Sequence, residues 1–224
     1  MAGAMGAVRA PLRLRLTAVA LCAGLLPVPA YCADSDEFAR AERYLREGDV
    51  VRALPLLRRL ADTGYAPAQV RLGELMDKAE ENAIAADLYR KAAEQGDADG
   101  AYGLGAMYAS GEGVKRDMRE ALRWMRVAAQ QAHIPATHFL AQAYLSAEPE
   151  LKSDPDYEAS AVRWATRAAE TGFVPAMDAL AAAYRRGAFG LAPDPALAQA
   201  WEQRGEAARR AVASRPAPGS DKQR

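Results

Sequence analysis

The sequence predicts an all-α protein, an α-solenoid of about five antiparallel helix pairs. Two observations carry that expectation. The chain repeats itself: ADTGYAPAQVRLGELM from Ala61, AEQGDADGAYGLGAMY from Ala93, AQQAHIPATHFLAQAY from Ala129 and AETGFVPAMDALAAAY from Ala169 align without gaps. Within each block the apolar residues return at helical spacing. A pair of amphipathic helices cannot bury its apolar faces alone, so successive pairs stack into one continuous core.

The alignment assigns the elements in order. Gly64, Gly96, Ala132 and Gly172 share one position, followed eight residues on by Leu72, Leu104, Leu140 and Leu180. Beside each leucine stands a small residue, Gly73, Gly105, Ala141 or Ala181, which lets a neighbouring helix approach closely. Met76, Tyr108, Tyr144 and Tyr184 lie four residues beyond the leucines, on the same helical face. These features predict A helices near 36–47, 66–78, 98–110, 134–146 and 174–187. A second string runs through Ala53, Ala85, Ala121, Ala161 and Ala198. Three residues later it has Leu56, Leu88, Trp124, Trp164 and Trp201, and four beyond those Leu60, Ala92, Ala128, Ala168 and Gly205. That stripe predicts B helices near 50–63, 81–95, 117–131, 156–171 and 194–213, with the alanines spaced 32, 36, 40 and 37 residues apart. Pro55 predicts a kink or a late start in the first B helix. The glycine after each B helix suits a left-handed cap, and Ala132 marks a less ideal turn.

The ends of the chain differ from its body. Arg9, Arg13 and Arg15 precede an apolar run at residues 16–30, LTAVALCAGLLPVPA, with no acidic residue in that region. This reads as a signal peptide cleaved after Ala30 or Ala33, and it falls short of the ~20 residues a membrane span needs. Leu21 and Tyr31 stand where a lipoprotein signal before Cys22 or Cys32 requires a small residue. Cleavage after Ala30 leaves 26 basic and 29 acidic residues and at most one cysteine, so no intrachain disulfide is expected. The solenoid is assigned to 34–213 and a disordered polar tail to 214–224.

The stretch AYGLGAMYASGEGVKRDMREALRWMRVAAQQA at 101–132 resembles the Sel-1-like repeat family, relatives of the tetratricopeptide repeat. Its pattern A…LG…Y..G.GV..D...A..W...AA..G is followed closely there and well at 161–187. At 68–96 the loop is shorter. The first pair, about 36–64, keeps Tyr44, Gly48 and Ala53 but lacks the leucine–glycine step, and so resembles the plainer tetratricopeptide form.

Catalytic and ligand motifs are poorly represented. GLGAMY puts Tyr108 where a dinucleotide loop needs its third glycine, and the segment is helical rather than a strand-to-helix turn. His133 and His138 are five apart, the wrong spacing for two metal ligands on one helical face. They read as one histidine at a helix start and one on its surface. Glu80-Glu81 and the pair Asp154 and Asp156 fall at loops and helix starts, where carboxylates favour the helix dipole and cap free N–H groups. Arg58-Arg59, Arg185-Arg186 and Arg209-Arg210 read as solvated faces. The formal net charge of zero lacks the concentrated positive excess of a nucleic-acid binder.

By resemblance to tetratricopeptide arrays, a concave groove is lined by the residues two before, two after and five after each leucine. These are Val70, Glu74 and Asp77; Tyr102, Ala106 and Ala109; His138, Gln142 and Leu145; and Asp178, Ala182 and Arg185. The resemblance implies a non-enzymatic scaffold or adaptor of a bacterial envelope, and the signal peptide adds the expectation of export, periplasmic or secreted. It would bind another protein or peptide, with no cofactor, metal or nucleic acid. Two other roles are an envelope regulator that inhibits a sensor or enzyme by binding it, and a cell-wall or β-lactam hydrolase, for which no convergent catalytic set is present.

Overall fold

The computed structural model describes residues 28–214. Residues 1–27 of the expected signal peptide and 215–224 of the expected tail lie outside the described residues. Among the described residues all regular structure is helical. The A helices are α1 (Val28–Arg46), α3 (Ala66–Lys78), α5 (Ala98–Ser110), α7 (Ile134–Leu145) and α9 (Val174–Arg186). The B helices are α2 (Val50–Asp62), α4 (Asn82–Glu94), α6 (Met118–Gln130), α8 (Tyr157–Glu170) and α10 (Pro195–Ala213). A single 3₁₀ turn, Pro149–Leu151, interrupts the long loop before α8. The bounds agree with the sequence expectation except at α1, which starts at Val28 rather than near residue 36. Each helix packs on the next, and alternate A helices also touch, α3 on α5 and α7 on α9.

The aligned positions are the core. Ala53, Ala85, Ala121, Ala161 and Ala198 are all buried, as are Leu72, Leu104, Leu140 and Leu180. Packing between the helices of a pair is complementary in size. A Cβ on Gly73 would lie 2.9 Å from the Tyr89 ring, and one on Gly105 3.2 Å from Met125. Where the A helix carries Ala141, the corresponding B position is Ala165. In these three pairs a large side chain stands opposite glycine and a small one opposite alanine, which keeps packing dense without overlap. In the first B helix the fully buried leucines are Leu57 and Leu60, while Leu56 is half-buried. Trp124 and Trp201 are half-buried too, each covered by a guanidinium, from Arg123 and Arg204. The first pair shares a smaller core with α3 and α4, built from Ala41, Leu57, Leu60, Ala68, Leu72 and Leu88, beside the larger core that runs from Val70 to Leu180.

The turns repeat as faithfully as the helices. After four B helices the C′ residue is left-handed: Gly64 (φ 90°), Gly96 (φ 87°), Ala132 (φ 63°) and Gly172 (φ 92°). The next residue donates its N–H back to the helix, as Tyr65 to Leu60, Asp97 to Ala92, His133 to Ala128 and Phe173 to Ala168. This is a Schellman termination, which satisfies carbonyls left over at the helix end. Ala132 holds it against the steric cost that a Cβ brings to the left-handed region. Ala132→Gly is therefore expected to raise stability by about 1 kcal/mol, read as a higher denaturant midpoint at unchanged slope.

A second latch joins A to B. The N–H at the B-helix start reaches back to the last aromatic or methionine of the A helix: Asp49 to Tyr44, Glu81 to Met76, Asp117 to Tyr108 and Asp194 to Tyr184, at 2.8–2.9 Å. In the fourth pair that register position is Tyr157, and its hydroxyl donates to the Tyr144 carbonyl. The longer loop is thus closed by a side chain doing the work of a backbone donor. Tyr144 is itself fully buried, donates its hydroxyl to Asp154 at 2.8 Å, and accepts from Arg126 at 3.1 Å.

Three local expectations are corrected. α2 does not start late, because Pro55 is exposed and the carbonyl it leaves without a partner belongs to the exposed residue Val51. The carboxylates at Glu81 and Asp156 make no cap hydrogen bond, whereas Asp49, Asp97, Asp117 and Asp194 do. The arginine pairs are not merely solvated. Arg59 pairs with Glu37, Arg185 with Glu202 and Arg209 with Asp178.

Candidate binding groove

The A helices present one face that is not covered by their B partners. Between α3, α5 and the start of α7 this face sinks into a cleft of about 500 Å³. Val70, Glu74, Asp77, Tyr102 and Ala106, assigned to a groove by resemblance to tetratricopeptide arrays, all line it. The structure adds Tyr89, Asp99, Gly103, Met107, His133 and Pro135.

Tyr89 was not legible as a groove residue because it belongs to a B helix. Where Tyr89 stands, α2, α6 and α8 carry Leu57, Met125 and Ala165, all buried, and α10 carries the half-buried Glu202. Its ring lies against Gly73 of α3 and Gly103 of α5. A Cβ on Gly103 would fall 2.7 Å from that ring. The two glycines leave a slot through which the phenol reaches the cleft floor. The sequence signal was one outsized B residue facing glycine on both neighbouring A helices. Burial pushes the Tyr89 phenol pKa well above its usual range, and the nearby charges of Asp77 and Glu74 push it further the same way.

The carboxylates have distinct surroundings. Glu74 accepts from Arg71, which also pairs with Glu42 at 2.8 Å. Asp99 lies 3.1 Å from His133 Nε2. His133 is the N-cap of α7, its Nδ1 accepting the Ala136 N–H at 3.2 Å. With Nδ1 an acceptor, the hydrogen-bond pattern puts the proton on Nε2, where it is donated to Asp99. The His133 ring also packs on Tyr102, with centroids 4.6 Å apart. Asp77 has no ion-pair or hydrogen-bond partner among the described residues.

The remaining groove positions are not brought into this cleft. His138 stacks on Phe173 at 4.5 Å and its Nε2 is 2.8 Å from Thr171 Oγ1, so it ties α7 to the turn before α9. Ala109 and Leu145 are half-buried and Gln142 is exposed on the same array. Asp178 and Arg185 are exposed but engaged by α10: Asp178 accepts both Arg209 guanidinium nitrogens, and Arg185 pairs with Glu202. Ala182 lies half-buried between them in sequence. α10 has 19 residues, longer than the other B helices, and its extension covers the last A helix as a following pair would. An array end needs such a polar cover.

Burial holds the His138 pKa below its ordinary 6.5. The neutral ring is the form the fold prefers, so its contribution is complete above pH 6.5 and fades as pH falls through the lower folded value. Melting temperature should fall more steeply with acid in the parent than in His138→Phe. Identical pH slopes would refute the assignment.

Among the described residues, no group of three or more His, Cys, Asp or Glu is arranged to hold a metal ion. No described helix is long and apolar enough to cross a membrane.

The repeat register described above is matched by a protein family, Sel1 repeat, at residues 66–97, 98–133, 134–173 and 174–204. The chain belongs to the Sel1 repeat family. Its four matched repeats are the pairs from α3 to α10, and the divergent first pair lies outside them. Sel1 repeats generally mediate protein–protein interaction and typically act as scaffolds rather than catalysts. A Sel1 repeat protein from Oxalobacter formigenes has a similar crystal structure, with TM-score 0.64 and 27% identity, covering 82% of this chain and 75% of that one. The structure of c5321, a protective antigen of uropathogenic Escherichia coli with the same repeat fold, gives TM-score 0.69 and 29% identity over 80% of this chain and 39% of that one. The uncharacterized protein NMB1327 of Neisseria meningitidis serogroup B is 43% identical over 63 residues, 28% of this chain and 14% of that protein. The chain therefore spans only a small part of that relative's length.

Proposed function

We propose that this Sel1 repeat protein is an exported adaptor of the bacterial envelope, periplasmic or secreted, which holds a partner protein on its A-helix face. The observation that carries the reading is the cleft between α3, α5 and α7, where groove positions from two successive repeats converge. A binding surface shared by successive repeats is how solenoids recognise extended partners. Export is supported by Arg9, Arg13 and Arg15 ahead of the apolar run at 16–30. The similarity to c5321, a protective antigen, is in keeping with it.

A photo-crosslinking residue at Ala106, expressed in cells, is expected to trap a partner. Charge reversal at Glu74 and Asp77 should abolish trapping without loss of helicity. Those two residues are chosen because reversing Asp178 or Arg185 would also break the α10 cover. Trapping that survives reversal places binding on the convex side or on the loops at 147–155 and 188–193. Fractionation and N-terminal sequencing of the mature chain test export; an intact N-terminus in the cytoplasm would overturn it.

A further inference from the structure

The charged side chains that line the cleft are all of one sign apart from the titratable His133. Glu74, Asp77 and Asp99 supply carboxylates, Tyr89 and Tyr102 supply phenols, and no lysine or arginine lines it. Arg71 offsets part of the Glu74 charge from outside the lining, and His133 is occupied with Asp99. Asp77 stays uncompensated. A second feature is independent of the charges. Tyr89 is only 5% exposed, yet its hydroxyl has no hydrogen-bond partner among the described residues. No described side-chain oxygen is sealed from solvent without a partner, so this hydroxyl opens into the cleft. A buried phenol aimed into an acidic cavity is an acceptor waiting for a donor.

We propose that the cleft receives the side chain of an arginine carried by an extended segment of the partner protein. The inference rests on the adaptor reading and names the chemistry that the partner must bring. A cation is called for by the uncompensated Asp77 beside Glu74. Arginine fits better than lysine on two counts. Its forked donors can meet the two carboxylates and the Tyr89 hydroxyl together, where an ammonium is a single point of charge. Its flat guanidinium also packs on aromatic faces, and Tyr102 forms one wall. The chain uses that pairing itself, with Arg52 over Tyr44 at 4.5 Å and Arg204 over Trp201 at 4.7 Å. The cleft, at about 500 Å³, is larger than a guanidinium, so the occupant extends beyond the head group.

The test is an NMR titration of the isotope-labelled full chain with the peptide acetyl-Gly-Ser-Arg-Ser-Gly-amide. Saturable shifts are expected at Gly103, Tyr102 and Tyr89. The same peptide with citrulline, isosteric but neutral, should bind about tenfold more weakly, and the lysine peptide should fall between them. Glu74→Gln with Asp77→Asn should reproduce the citrulline loss. Tyr89→Phe keeps the ring that fills the slot between Gly73 and Gly103, and should weaken binding a few-fold. Equal binding of arginine and citrulline peptides, equal binding of arginine and lysine peptides, indifference to Tyr89→Phe, or shifts scattered over surface carboxylates would each overturn the proposal. So would movement of the cleft signals, with no peptide added, when Arg215, Lys222 and Arg224 are changed to glutamine, since the occupant would then be the chain's own tail. Crosslinking at Ala106 reads the adaptor role separately. Capture there without arginine-peptide binding leaves the adaptor standing and removes the arginine.

Discussion

Leu104→Ala is expected to cost about 3–4 kcal/mol and to break the cooperativity of the array. Leu104 is fully buried in the third of five A helices, within the continuous core. Truncation there leaves a cavity that neighbouring helices can only partly close, which is where the upper part of the cost arises. The wider effect follows from the architecture. Solenoid stability is approximately a sum of repeat terms and nearest-neighbour interfaces. A weakened central repeat loosens the coupling on both sides of it. Calorimetry should show one transition in the parent and a broadened or split transition in the variant. Hydrogen exchange should rise first across 98–130. Leu57→Ala removes an equally buried leucine, but from the smaller core that the first pair shares with α3 and α4. It should raise exchange across residues 33–94 and leave exchange in the later repeats unchanged. If both variants lose protection uniformly along the chain, the nearest-neighbour picture fails.

Gly113→Ala is expected to cost about 3 kcal/mol, more than its place in an exposed-looking loop suggests. Two terms add. Gly113 has φ 69°, in the left-handed region where a Cβ is penalised. A Cβ there would also lie 2.1 Å from the Asn82 carbonyl oxygen and 2.4 Å from its carbon. The clash is with backbone at the start of α4, so no rotamer change relieves it. The loop after α5 must lift away from the preceding B helix. Gly48→Ala separates the two terms: its φ is 81°, but nothing lies within 4 Å of the added atom. That variant should lose only about 1 kcal/mol. Equal losses at the two sites would show that the contact with Asn82 carries no energy.

The glycine-rich stretch AYGLGAMYASGEGV shows how unevenly the groove could be read. Its helical spacing excluded a phosphate loop, and the family resemblance turned Gly111 and Gly113 into a turn and Leu104 and Gly105 into core, all of which the structure bears out. The resemblance to tetratricopeptide arrays put Tyr102 and Ala106 on the groove face, and both line the cleft. What lay beyond reach was Gly103's purpose, because the ring it accommodates belongs to Tyr89, in the preceding helix pair.

The division between the two sources has a physical basis. Helix periodicity, left-handed caps and the alternation of A and B depend on residues within a few positions of one another. A repeat multiplies those local signals until they specify all ten helices and the register of the core. By itself the sequence therefore determined an all-α solenoid, and the family resemblance added the A-helix face as its candidate groove. Three matters were decided only by tertiary structure. Tyr89 reaches the cleft because the stacking of α3, α4 and α5 leaves a glycine-lined slot. Asp178 is held because α10 continues past the length of the other B helices to Arg209, and Arg185 is held by Glu202 on the same helix. Tyr157 closes its loop with a hydroxyl because the extra residues before α8 place a side chain where other pairs present an N–H. Each depends on how far apart two elements come to rest once they are packed. No period along a single helix encodes that distance.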